Sequence, residues 1–282
     1  WGSVYYRPDN LEEAIIALNS QKLKIAAGCT DLFPATQREF LGDNILDISG
    51  IKSIKGIAVE NDFRRIGAMT TWSDLERASL PPCYEMLKQC SKQVGSIQIQ
   101  NSGTIGGNLC NASPAADGVP CLLSLNASIE LSSKSHSRTL KIEDFINGSR
   151  DTEIKDNEIL TSILIPLKNE KGFSAFAKLG ARKYLVISIA MVACRLEVEN
   201  NIITDVAITI GSCSAVAKRL NSLETILIGK SINSDLVNEI YKFKFSDFIS
   251  PIDDIRGTGS YRNEAAKVLV KKAFIECRDK FL

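Results

Sequence analysis

Residues 104–120 read TIGGNLCNASPAADGVP, with the adjacent glycines Gly106 and Gly107 between Thr104-Ile105 and Asn108. Between Gln93 and Ser133 only Asp117 and Glu130 are charged, and there is no Lys or Arg. Glycines let a ligand touch the main chain, and successive N–H groups there are free to form an anion nest. A diphosphate held in such a loop would be balanced by peptide dipoles and the Thr104 hydroxyl rather than by cations. An isolated Gly-Gly also suits a tight turn between two strands. A second stretch upstream shifts the reading. Residues 22–26 alternate like a short strand and run into Ala27-Gly28-Cys29-Thr30-Asp31, with a helix start predicted at Thr30 or Asp31. The N–H groups of that helix, beside a glycine, would make a second anion-receptive spot. A ligand bridging both loops is long and carries a diphosphate; a dinucleotide fits.

Other chemistries are disfavoured. Ala27-Gly28-Cys29-Thr30 has no G-x-G-x-x-G pattern, and no Gly-Lys-Ser/Thr follows either loop, so neither a Rossmann nor a Walker site is expected. The eight cysteines contain no C-x-x-C pair and His136 is the only histidine. A zinc or iron–sulfur site within this chain is not expected, nor is a Ser-His-Asp or Cys-His hydrolase. Reduced thiols used as small apolar residues point to the cytoplasm. Lys and Arg total 34 against 33 acids, so no net field draws the chain to nucleic acid or membrane, and no apolar run approaches a bilayer's span. The sequence opens on Trp1 without a signal-peptide pattern, which suggests a trimmed or incomplete start.

These residues need elements to position them. Asn10 and Glu13 predict a capped helix whose buried face is Leu11, Ala14, Ile15 and Leu18. Strands are predicted at 44–48, 54–59 and 64–68, and helices at 71–78 and 82–94. Residues 95–101 alternate apolar and polar before the central glycines. Residues 119–125 predict a helix, 128–131 with 138–142 a hairpin, and 158–166 a strand ended by proline. The polar stretch 168–172 is read as a domain boundary. Beyond it, 174–179, 187–198 and 202–210 predict a three-stranded antiparallel sheet, with Asn200-Asn201 as a hairpin turn. Helices are predicted at 218–227, 236–244 and 261–278. Runs of strands followed by runs of helices indicate an α+β chain.

Ala27-Gly28-Cys29-Thr30-Asp31-Leu32, then Gly103–Asn108 (GTIGGN) with Ser113-Pro114 and Asp117, resemble two elements of a known family. That family is the FAD-binding, medium subunit of molybdenum hydroxylases of the xanthine, carbon monoxide and nicotinate dehydrogenase type. Glu158-Ile159-Leu160, Phe176-Ala177-Lys178 and the tail Asp254-Ile255-Arg256-Gly257-Thr258 with Tyr261-Arg262 extend the resemblance along the whole chain. It implies a two-part FAD-binding fold of the p-cresol methylhydroxylase / vanillyl-alcohol oxidase type over residues 1–168, with a subdomain boundary near 50–60. A C-terminal domain of the same flavoproteins would occupy 172–282.

Carried over by residue, the resemblance implies that Lys24, Ile25, Ala26, Ala27, Gly28, Cys29, Thr30 and Asp31 hold noncovalent FAD. Thr104, Ile105, Gly106, Gly107 and Asn108 would hold its diphosphate and ribose from the other side. Gly95 would line the cofactor's path, Asp117 would bond the adenosine side, and Leu160 and Lys178 would border the cofactor. Asp117 as a helix cap, Lys178 as a solvated strand lysine and Leu160 as ordinary core are the structural alternatives. Cys29 stands where the family usually has a second Gly, and Gln100 where it usually has Arg. No catalytic side chain and no metal ligand is expected. Molybdopterin and 2Fe-2S clusters would lie in partner subunits, an iron–sulfur subunit and a molybdopterin-binding large subunit. Electrons would pass from the former through FAD to NAD(P)+ or another acceptor, which Arg182 and Lys183 could attract. A stand-alone FAD-dependent reductase and a flavin-free scaffold subunit are the alternatives.

Overall fold

The computed structural model describes residues 4–34, 44–181, 187–233 and 235–282. Its first lobe holds β1 (Tyr5–Tyr6), α1 (Leu11–Ser20), β2 (Lys24–Ala26) and β3 (Ile45–Asp47). Asn10 caps α1 as the sequence predicts, its Oδ1 accepting from the Glu13 N–H at 2.9 Å. Ala14, Ile15 and Leu18 are buried against Leu46, Ile48 and Ile51. The sheet is parallel in the order β1-β3-β2, with Lys24 opposite Ile45 and Ala26 opposite Asp47. Parallel strands end at one edge, so the residues after Ala26 emerge where the chain leaves the sheet. The helix start expected at Thr30 or Asp31 is absent from 30–34, which form a turn; residues 35–43 lie outside the described segments.

The second lobe begins with β4 (Ile57–Glu60) and β5 (Phe63–Gly67), followed by α2 (Trp72–Arg77), α3 (Glu85–Ser91), α4 (Ile97–Ser102), α5 (Ile105–Asn111) and α6 (Gly118–Ser124). It continues with β6 (Ser128–Ser132), β7 (Ser137–Lys141), α7 (Ile142–Phe145), β8 (Ile146–Gly148), β9 (Asp151–Thr152) and β10 (Ile159–Pro166). A five-stranded antiparallel sheet runs β4-β5-β10-β6-β7. The predicted strand at 54–59 starts only at Ile57, because residues 52–54 make a single 3-10 turn and Gly56, at φ +92°, redirects the chain. The alternating stretch 95–101 leads into and forms most of the short helix α4. Ser96 caps it by accepting from the Ile99 N–H, and Ile97 and Ile99 stay exposed with no neighbouring strand to pair with.

The third lobe is β11 (Phe173–Gly180), β12 (Ser188–Glu199), β13 (Ile202–Gly211), β14 (Lys218–Arg219), α8 (Asn221–Leu227), α9 (Leu236–Lys242) and α10 (Gly259–Arg278). The three expected strands pair antiparallel, and Asn200 and Asn201 turn between them with φ of +50° and +63°. The helix predicted from Lys218 begins at Asn221, since Lys218 and Arg219 pair with Ile210 and Thr209 as a short edge strand. β12 is covered on both faces. Ala190, Val192, Cys194 and Leu196 pack under α10, whereas Met191 and Ala193 meet the core shared with α3 and α6. The second and third lobes therefore share one continuous packed interface. Among the described residues no helix is long and apolar enough to cross a membrane.

Candidate cofactor site

Between the first and second lobes lies a cleft of about 1410 Å³, above the usual range for a drug-sized ligand and roomy enough for a dinucleotide. Lys24, Ile25, Ala27, Gly28, Cys29, Thr30 and Asp31 line one wall, and Thr104, Gly106, Gly107, Asn108 and Leu160 line the other. The structure thus brings together two stretches of sequence some 75 residues apart. Ala26 and Ile105 turn into the buried interior instead. Gly95, at φ +54°, packs over the Ile99 side chain and is not part of the lining.

The glycines explain how the two walls abut. A Cβ on Gly28 would sit 1.9 Å from the Ser102 carbonyl oxygen, and one on Gly103 would meet Thr30 Oγ1 at 3.3 Å. Gly106 lies against Ala68, its N–H donating to the Ala68 carbonyl at 2.9 Å. Gly107 differs: a Cβ there would meet only Thr104 Oγ1, at 2.9 Å, before open cleft.

The central glycines form the first turn of α5 rather than a loop of free amides. Thr104 is the N-cap and accepts from the Gly107 N–H at 3.1 Å. The Ile105 N–H donates to Thr70 O, and the Asn108 N–H to Thr104 O, both at 3.0 Å. The amides of Ile105, Gly106, Gly107 and Asn108, proposed as an anion nest on this wall, each already have an internal acceptor. On the opposite wall the N–H groups of Gly28, Cys29 and Thr30 donate to no protein acceptor among the described residues. Asn108 Oδ1, buried at the cleft wall, also lacks a partner. Unpaired donors at Gly28, Cys29 and Thr30 fit a ligand that supplies phosphate oxygens, whereas the Asn108 amide oxygen faces Gly118 behind the wall.

Cys29 adopts φ +57°, in the left-handed region that favours glycine, with its thiol 3.5 Å from the Ala27 carbonyl. Holding a Cβ there costs roughly 1–2 kcal/mol, against the 0.4–1 kcal/mol by which a glycine loosens the unfolded chain. Cys29→Gly is therefore expected to stabilise the fold by about 0.5–1 kcal/mol with FAD affinity unchanged. Urea unfolding and flavin titration check this, and a loss of stability would show that the thiol contact outweighs the strain.

Cations are present after all, contrary to the expectation from the loops alone. Lys22, Lys24, Arg150 and Lys155 line the cleft. Arg150 reaches from the turn between β8 and β9 to Asp31 Oδ2 at 2.8 Å and to Asn111, joining the two walls. It lies about forty residues beyond the glycines, and no local pattern in the sequence marks it.

Asp117 and Lys178 do not line the cleft; they bond to each other. The Lys178 ammonium is 2.6 Å from Asp117 Oδ2 and 3.2 Å from the Gln93 carbonyl, and the Ser188 hydroxyl donates to Asp117 Oδ1. Asp117 occupies the N-cap position of α6 but makes no capping bond, so the helix-cap alternative fails. Lys178 is buried, so it is no solvated strand lysine. Burial holds the Asp117 carboxyl above its ordinary range even though Lys178 and Ser188 favour its charge. Gln100, in the position where Arg is usual, donates to the Lys92 carbonyl beyond the end of α3. Arg182 and Lys183 lie outside the described residues.

The geometry agrees with the comparisons. Residues 2–168 match the family described as the FAD binding domain in molybdopterin dehydrogenase, and residues 175–277 match the CO dehydrogenase flavoprotein C-terminal domain. The chain is 34% identical to the glyceraldehyde dehydrogenase medium chain of Sulfolobus acidocaldarius, over 96% of this chain and 97% of that one. It is 30% identical to the nicotinate dehydrogenase FAD-subunit of Eubacterium barkeri, over 98% and 96% of the two chains. Its fold superimposes on reconstituted CO dehydrogenase from Oligotropha carboxidovorans with a TM-score of 0.90 at 24% identity, covering 99% and 98% of the chains. A cleft lined by two glycine turns, joined to a C-terminal α+β lobe, thus carries a known signature: the chain belongs to the family of FAD-binding medium subunits of molybdenum hydroxylases.

Proposed function

We propose that this chain relays electrons from an iron–sulfur subunit, through noncovalent FAD, to NAD(P)+ or another acceptor, within a complex whose large subunit carries molybdopterin. Bound flavin supplies the exchange between one-electron and two-electron steps, and the protein supplies position and electrostatics. The observation that carries this reading is the wall of unpaired amides at Gly28, Cys29 and Thr30, facing the Cβ-free Gly107 across the cleft. Those amides hold phosphate oxygens, and Asn108 and Leu160 border the cofactor. The Asp117–Lys178 pair braces the wall behind Asn108, where Gly118 lies 2.9 Å (from an added Cβ) from the Asn108 amide. Covalent attachment has no support, because His136 sits in the β6–β7 turn, bonded to Ser135 and away from the cleft lining.

In this reading the FAD-binding domain spans 1–168, its two subdomains meeting near 50–60, and the second domain spans 172–282. A cytoplasmic location belongs to the same proposal and rests on eight cysteines spaced without a pairing pattern. The test is purification of the native complex and of the chain alone. The expected results are a yellow chain that releases intact FAD on denaturation, and co-purification of two further subunits. A colourless chain that cannot be reconstituted would point to a scaffold, and NADPH turnover by the isolated chain on a substrate of its own would point to a stand-alone reductase.

A further inference from the structure

Arg150 is placed with some strain. Its φ is +61°, in the left-handed region, and its N–H donates to the Ala112 carbonyl at 2.8 Å. Ala112, the C-cap of α5, is itself left-handed at φ +44°. Two non-glycine residues in that region, bonded to each other, fix where the arginine leaves the β8–β9 turn. All of its side-chain contacts use one nitrogen: Nη1 donates to Asp31 Oδ2, Asn111 Oδ1 and Asn111 O. Nε and Nη2 have no acceptor among the described residues, and the side chain is half-exposed within the cleft lining.

The guanidinium is therefore held by one corner, with its Nε–Nη2 edge open. That edge has the two parallel N–H groups that match a pair of phosphate oxygens. It stands next to Asp31, directly after the unpaired amides of Gly28, Cys29 and Thr30. The facing wall spends its own first-turn amides on Thr70, Ala68 and Thr104. A diphosphate here carries two negative charges that one row of amides balances only in part, and a fork-shaped cation is the missing counterpart.

We infer that Arg150 is a binding residue for the diphosphate of the bound dinucleotide, with Asp31 and Asn111 orienting its guanidinium. This rests on the cleft being the FAD site. The alternative is that Arg150 acts only as a strap between the lobes through Asp31. The two separate on variants of the full chain, titrated with FAD and, as a flavin-free diphosphate probe, with ADP.

Arg150→Ala is expected to weaken both ligands roughly 10- to 100-fold, the range for losing charge-assisted bonds. Arg150→Lys should restore only part of this, because a point charge cannot offer the fork. Asp31→Asn, which loosens the guanidinium's orientation but leaves the cation in the cleft, should lose clearly less affinity than Arg150→Ala, given the small worth of an exposed ion pair. Circular dichroism and melting temperature establish that each variant is folded. Unchanged affinity in Arg150→Ala, or an equal loss in Asp31→Asn, overturns the inference while leaving FAD in the cleft. A parent chain that binds neither FAD nor ADP overturns the cofactor reading itself.

Discussion

Gly107→Val is expected to empty the flavin site while leaving a folded protein. The two central glycines are adjacent, yet their surroundings assign them different tasks. Gly106 packs on Ala68, so a Cβ there meets main chain at 2.8 Å and pushes α5 off the end of β5. Gly107 faces the cleft, and its added side chain would meet only the Thr104 hydroxyl before occupying ligand space. The protein's own loss is thus confined to a weakened N-cap, about 1 kcal/mol, which the removal of a helical glycine offsets in part. The ligand loses much more. Phosphate moved away from the facing amides forfeits several charge-assisted hydrogen bonds, so FAD affinity should fall roughly 100-fold or more. Flavin fluorescence titration together with a thermal melt measures both effects. Affinity equal to the parent's would show that the cofactor does not pass along this face of α5. Loss of the fold before loss of flavin would show that Gly107 serves packing, as Gly106 does.

That contrast also explains how much could be read in advance. The capped helix at Asn10, the Asn200-Asn201 hairpin and the strands on both sides of it are set by local rules, and they stand where the spacing put them. The two walls of the cleft were legible because one carries three glycines within 103–107 and the other sets Gly28 at the end of a short strand. The helical state of 105–111 was hidden by the same glycines. Each lowers helix propensity by about 1 kcal/mol relative to Ala, and their tertiary duties against Ala68 and the cleft override that cost. The alternation of residues 95–101 specified no element by itself, and Ile97 and Ile99 are exposed on a short helix. Arg150 was invisible because its place depends on a left-handed turn forty residues away, and no local pattern encodes such a contact.

Asp117→Ala is the substitution for which position changes the expected result most. If Asp117 only bonded the cofactor, the variant would bind FAD more weakly and melt like the parent. The structure instead ties it to Lys178 of β11 and Ser188 of β12, with both charged side chains less than one-tenth exposed. Removing the carboxylate leaves the Lys178 ammonium buried beside only the Gln93 carbonyl, which typically costs about 3–5 kcal/mol. The loss should fall on the join between the second and third lobes and appear as a lower melting temperature even without flavin. Replacing both partners, Asp117→Ala with Lys178→Met, should recover most of it, because no charge then stays unpaired. The pH dependence carries a separate sign. Burial raises the folded-state carboxyl above its ordinary range, so folding favours the protonated form. That contribution is complete below the ordinary carboxylate range and is lost as pH rises through the raised value. Asp117→Asn should remove this slope from the stability profile, measured by urea unfolding across the acidic range. A double variant no more stable than Asp117→Ala would mean that the carboxylate acts on something other than Lys178, and the lobe-bracing role would have to be abandoned.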